Sequence, residues 1–175
     1  MFYTKKGDDG KTTRFGCNQR FSKSSRVIGA LGDLDELNSF LGLCRAKLGK
    51  DKIADLILAV QNDLFIIQAQ VAGADKKLSK KSLTDLEKNI AKLEKKLPTI
   101  KHFIIPGGGE LSAYFDVARA VARRAERRVV AVKESGEIKI GDLTLAYLNR
   151  LSSFLYVLAR VVNVERGIVE KKPKY

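Results

Sequence analysis

From Leu111 to Val132 the apolar residues Leu111, Phe115, Ala118, Ala122, Ala125, Val129 and Val132 recur at spacings of four and three without a break. That spacing draws one continuous stripe along a helix and none along a strand. The alanines within it let a second helix come close, so the segment reads as the seam of a helical bundle. The same alternation runs through Leu34, Leu37, Leu41, Cys44 and Leu48, on a helix that begins at Arg26 and is closed by Gly49. It returns in Ile53, Leu56, Val60, Leu64, Ile67 and Val71, on a helix from about Lys52 to Gly73, and in Tyr147, Leu151, Phe154, Leu158 and Val161, from about Asp142 to Glu165. A shorter helix is expected from Ser82 to about Lys96, with Ser82 as its N-cap, Asp85 and Glu87 in or near the first turn, and Pro98 marking its end. No strand pattern is long enough to build a sheet. The expectation is all-α: a five-helix bundle over residues 26–168, with a lysine-rich tail at 169–175 that frays from Lys171 to Tyr175.

Residues 1–25 do not share this period. They are polar and punctuated by Gly7, Gly10 and Gly16, and read as an irregular arm that something else must hold. With 175 residues the chain is expected to form one domain, large enough to bury a core without disulfides. Cys17, Cys44 and the single histidine, His102, show no paired-ligand spacing, so neither a zinc site nor a disulfide framework is legible. The apolar runs are far shorter than a membrane span requires, and a soluble, untargeted cytoplasmic chain is expected.

A net charge of +13 favours phosphates, nucleotides or nucleic acid without choosing among them. The lysines between Lys76 and Lys101 fit a solvated helix face. Gly10-Lys11-Thr12 has the look of a P-loop ending, but Lys5 stands where that motif needs its first glycine, and no strand and helix flank it. What remains is an arm with free backbone N–H groups, lysines 5, 6 and 11, and the hydroxyls of Thr4, Thr12 and Thr13, which fits both an anion site and an ordinary polar arm. Pro106-Gly107-Gly108-Gly109 leads straight into the fourth helix, and fits both a ligand-receiving turn and a tight connection. Phe103, Ile104 and Ile105 before it are expected to cap the end of the core. On the fourth helix, from about Leu111 to Lys133, Arg119, Arg123 and Glu126 fall along one border of the apolar seam. Arginines there can grip phosphate oxygens in bidentate bonds or form salt bridges within the bundle. Asp35 on the first helix and Asn149 with Arg150 on the fifth occupy similar borders.

These blocks, in this order, resemble the ATP:cob(I)alamin adenosyltransferases of the propanediol-utilisation type. The arm from Tyr3 to Thr12, Leu34-Asp35-Glu36-Leu37-Asn38-Ser39, the loop from Phe103 to Gly108, the run from Arg119 to Arg127 and Tyr147-Leu148-Asn149-Arg150-Leu151-Ser152 carry the resemblance over nearly the whole chain. The resemblance implies a homotrimer with ATP and cobalamin bound at subunit interfaces and the arm folded over the nucleotide. It implies ATP contacts from Thr4, Lys5, Gly7, Asp8, Gly10, Thr12 and Lys23 on the arm, and from Arg123, Glu126 and Asn149 on the bundle, Glu126 also meeting Mg²⁺. It further implies an Arg119–Asp35 pair across the interface and Phe103 against the lower face of the corrin ring, which would put Arg123, Arg119, Asp35 and Phe103 in the catalytic set. A cob(II)alamin reductase and an adenosylcobalamin-dependent enzyme are the implied partners, with no nucleic acid and no membrane. Two residues depart from the pattern: Lys6 stands where the family often has threonine, and Cys17 where a second glycine often follows Phe15-Gly16. The competing readings are a non-catalytic basic bundle that senses or scaffolds nucleotides or nucleic acid, and an ATP-dependent transferase with another acceptor.

Overall fold

The computed structural model describes residues 2–14 and 16–175; Met1 and Phe15 lie outside it. Five helices follow in order: α1 (Arg26–Leu48), α2 (Lys52–Val71), α3 (Lys80–Glu94), α4 (Glu110–Ser135) and α5 (Asp142–Glu165). Neighbouring helices run α2, α1, α4, α5, α3, so α4 lies between α1 and α5 while α2 and α3 form the flanks. The expected all-α bundle is present, with one addition. Lys11–Thr13 (β1) and Arg20–Ser22 (β2) pair antiparallel, Thr12 opposite Phe21, in a short hairpin within the arm. Three residues per strand carry too little alternation to be seen in a sequence.

The seam of α4 is the centre of the core. Phe115, Ala118, Ala122, Ala125, Val129 and Val132 are all fully buried, against Leu34, Leu37 and Leu41 of α1 and Leu151, Leu155 and Leu158 of α5. Helix α5 is buried on nearly every side from Phe154 to Asn163, Tyr156 excepted, which explains an apolar stretch wider than a single stripe.

The start of α3 differs from expectation. Ser79, not Ser82, is the N-cap, its side chain accepting the Ser82 N–H at 3.0 Å. Ser82 then sits inside the first turn, where its hydroxyl donates to Asp63 of α2 at 2.8 Å. Two serines three residues apart both satisfy the local capping pattern, and only the position of α2 decides between them. Asp63 also accepts from Tyr147 of α5 at 2.9 Å, so one carboxylate joins three helices. Burial, with Asp63 beside it, pushes the Tyr147 hydroxyl well above its ordinary range, so it stays a donor.

The tail differs too. Residues 168–171 fold back on the loop before α4, with the Ile105 N–H donating to the Lys171 carbonyl at 2.8 Å. An extended strap of this kind has no periodicity to read. Phe103 does not cap the core: it is 78% exposed, and Ile105 is also exposed.

Because Asp63 would keep Ser82 but lose a buried donor, Tyr147→Phe should destabilise the fold by about 1–2 kcal/mol. Urea unfolding checks this: the midpoint should fall with the slope unchanged.

Candidate functional site

The arm is a built structure in its own right. Arg20 on β2 is its clamp: Nη2 meets Asp9 Oδ1 at 2.7 Å and the Lys11 carbonyl at 3.2 Å, and also reaches the Lys6 carbonyl. The Lys11 N–H that Asp9 accepts, with Arg20 beside it, holds the Asp9 carboxyl below its usual range. Lys23 crosses the same turn, its ammonium donating to the Gly7 carbonyl at 2.8 Å. A Cβ on Gly7 would stand 3.1 Å from that Nζ, so the close approach is what the glycine permits. Lys5 has φ 59°, alone among the described non-glycine residues in adopting a positive value, and this left-handed conformation carries a small strain. Lys5, Gly7, Asp8, Gly10, Thr12 and Lys23 are thus gathered around one turn and hairpin, with Thr4 entering it through the Lys6 N–H at 3.4 Å. Sequence reasoning missed Arg20, because nothing in the local pattern distinguishes it from the other arm cations.

On the bundle, Asn149 Nδ2 of α5 donates to Glu126 Oε1 of α4 at 3.0 Å. Arg123, Glu126, Arg127, Val130 and Asn149 line a cleft of about 270 Å³. A second, of about 330 Å³, is lined by Glu94, Arg119, Arg123, Ser152, Ser153, Tyr156 and Val157. Arg123 borders both, so the expected bundle residues share one stretch of surface. Arg127 belongs with them and was legible, one turn beyond Arg123. Arg119 Nε is buried without a partner among the described residues, a donor waiting for an acceptor. Asp35 is exposed and makes no ion pair among the described residues of its own chain, whereas its neighbours Asp33 and Glu36 both engage Arg124, the first at 3.4 Å. A larger cleft, of about 580 Å³, lies between the α2–α3 and α4–α5 connections and contains none of the expected site residues.

Each small cleft is open, and near the lower limit of ligand pockets. The two strands of the arm pack on each other, and no described residue of the arm lines either of the α4–α5 clefts. Phe103, in the loop that leads to α4, lines neither cleft. Among the described residues, no group of three or more His, Cys, Asp or Glu could hold a metal ion alone.

The cobalamin adenosyltransferase family model matches residues 2–162. The chain belongs to that family. It is 41% identical over 174 residues to a corrinoid adenosyltransferase of Bacillus subtilis, covering 95% of this chain and 88% of the relative. It is 39% identical over 167 residues to a cobalamin adenosyltransferase of Cupriavidus metallidurans, covering 94% and 89%. Its fold superposes with a TM-score of 0.91 on a variant PduO-type ATP:corrinoid adenosyltransferase from Lactobacillus reuteri complexed with cobalamin and ATP, at 28% identity over 99% of this chain and 97% of that one. For this adenosyltransferase, then, Arg123, Glu126 and Asn149 form a contiguous polar face on the bundle, while the glycine-rich arm carries a separate set of donors. No helix among the described residues is long and apolar enough to cross a membrane.

Arg20→Ala should open the arm to limited proteolysis between residues 6 and 20 while leaving the helical circular dichroism unchanged. Since the Asp9 pKa is lowered by folding, its share of the clamp is complete at neutral pH. That share should be lost only as pH falls below about 3.9, the ordinary value of an aspartate.

Proposed function

We propose that this chain transfers the 5′-deoxyadenosyl group of ATP to the cobalt of cob(I)alamin, releasing triphosphate, through sites completed at the subunit interfaces of a homotrimer. The observation that carries the interface reading is a site in two halves. An arginine face, with an Arg119 Nε that has no partner among the described residues, lies on α4 and α5, and no described residue of the preformed cationic arm in the same chain lines its clefts. Asp35 of a neighbouring subunit supplies the acceptor that Arg119 lacks. A neighbour's arm then brings Thr4, Lys5, Gly7, Asp8, Gly10, Thr12 and Lys23 over the nucleotide. The unit is a single adenosyltransferase domain over residues 1–175.

In the reaction the cobalt(I) lone pair forms a bond to C5′ while the C5′–O bond breaks, its electrons leaving with the triphosphate. The nucleophile needs no base. The work of the protein is to align cobalt with C5′ and to meet charge growing on the leaving group with Lys5, Lys23 and Arg123, donors already oriented before the reaction. Glu126, oriented by Asn149, would be the protein carboxylate that meets a Mg²⁺ ion carried by ATP. When bound, the ion neutralises phosphate charge. Phe103, exposed at the bundle end, packs against the lower face of the corrin and displaces its axial ligand. Loss of that donor makes Co(II) easier to reduce, so the chain tunes a reactivity that belongs to the corrinoid. Two free cysteines fit a reducing cytoplasm. A cob(II)alamin reductase and an adenosylcobalamin-dependent enzyme are the expected partners before and after the transfer.

The deciding assay is anaerobic: protein, ATP, Mg²⁺ and chemically reduced cob(I)alamin should yield adenosylcobalamin and one triphosphate per turnover. Tight ATP binding without turnover would rule the proposal out. Arg123→Ala should lower kcat by about 10² or more with either starting corrinoid. Phe103→Ala should chiefly slow reactions that begin from cob(II)alamin, and an equal loss with preformed cob(I)alamin would overturn that division of roles.

A further inference from the structure

Arg160 of α5 is only 1% exposed, and no step above uses it. A guanidinium keeps its charge at any accessible pH, so its burial requires anions. Two are present. Asp116 of α4, itself 6% exposed, lies 2.9 Å from Nη2, and Glu170 of the C-terminal strap lies 2.6 Å from Nε. The Tyr156 ring stands 5.1 Å from the guanidinium carbon.

Asp116 also holds the backbone of the loop that carries Phe103 directly, and Glu170 reaches that loop through Asn163 of α5. Asp116 Oδ2 accepts the Gly107 N–H at 2.8 Å. Glu170 Oε1 accepts from Asn163 Nδ2 at 2.8 Å, and that same amide donates to the Gly107 carbonyl at 3.0 Å. One residue beyond Glu170, the Lys171 carbonyl takes the Ile105 N–H. Ile168 closes the other side: a Cβ on Gly109 would lie 2.6 Å from its Cδ1. Gly107, with φ 107°, and Gly108, with φ 97°, adopt the turn that this enclosure shapes.

A buried ion pair is a poor device for stability alone, since apolar side chains of similar volume often serve as well. The anions of this one are committed to a loop and a strap. We propose that Arg160, through Asp116 and Glu170, is a positioning residue that fixes the Gly107 turn against the 168–171 strap and so sets the orientation of Phe103 toward the corrinoid. The link to the corrinoid rests on the reading of Phe103 given above.

Arg160→Gln leaves the buried Asp116 and the part-buried Glu170 without their cation and can fail to fold, so Glu170→Gln is the informative variant. The chain has no tryptophan, and Phe103→Trp therefore gives a single fluorescent reporter in the loop. In that background Glu170→Gln should lower the fluorescence anisotropy of the indole in the ligand-free protein, with helical circular dichroism unchanged. In the otherwise unaltered chain it should slow turnover from cob(II)alamin roughly tenfold or more, and turnover from preformed cob(I)alamin markedly less. Unchanged anisotropy would overturn the proposal, as would equal losses from both corrinoids. Phe103→Ala in the same two turnover assays separates the causes. If it alters neither rate, the corrinoid role of Phe103 fails, while the anisotropy still reports on the strap.

Discussion

Helix α4 can lie close to both α1 and α5 because Ala118, Ala122 and Ala125 offer almost no side chain between the backbones. The polar face of α4 depends on that contact. Arg119, Arg123 and Glu126 each directly follow one of those alanines in sequence, so the rotation that buries the seam also carries all three to its edge. A larger residue in the seam would separate α4 from α5 and stretch the 3.0 Å bond between Asn149 and Glu126. Packing and the placement of charge are one constraint on this helix.

The arm obeys different physics. It has too few apolar residues to form a core, so its turn is held by charged and backbone hydrogen bonds centred on Arg20, Asp9 and Lys23. Such bonds are exposed and individually weak, and they leave cations and backbone N–H groups pointing outward. An arm of this kind gains most from a polyanionic ligand, which suits the nucleotide-binding role proposed for it. The Phe103 loop solves the reverse problem. An exposed aromatic ring stands on a glycine turn that cannot stiffen itself, and the stiffness comes from the ion pairs that buried Arg160 makes with Asp116 and Glu170.

Four of the five helices were legible because each carries an apolar stripe long enough to dominate its local chemistry, and the third from its serine, its acidic first turn and Pro98; α5 occupies Asp142–Glu165, the range its periodicity predicts. The residues of the α4 face were legible for the same reason, as offsets from a stripe. Capping was less so: Ser79 and Ser82 are locally equivalent, and Asp63 of a different helix separates them. Arg20 and Glu170 left no signal, since a cation in a polar arm and an acid in a lysine-rich tail look like solvated charges until their partners are known.

The sequence by itself determined the helical class, the order of the elements and the membership of the polar face on α4, because all three follow from periodicity along one chain segment. Tertiary structure alone decided which charges are paired. Arg160 sits in an apolar helix 44 residues from Asp116, and no local rule connects them. The fold brings them within 2.9 Å because a buried guanidinium must find a carboxylate, and the one it finds already holds the turn beneath Phe103.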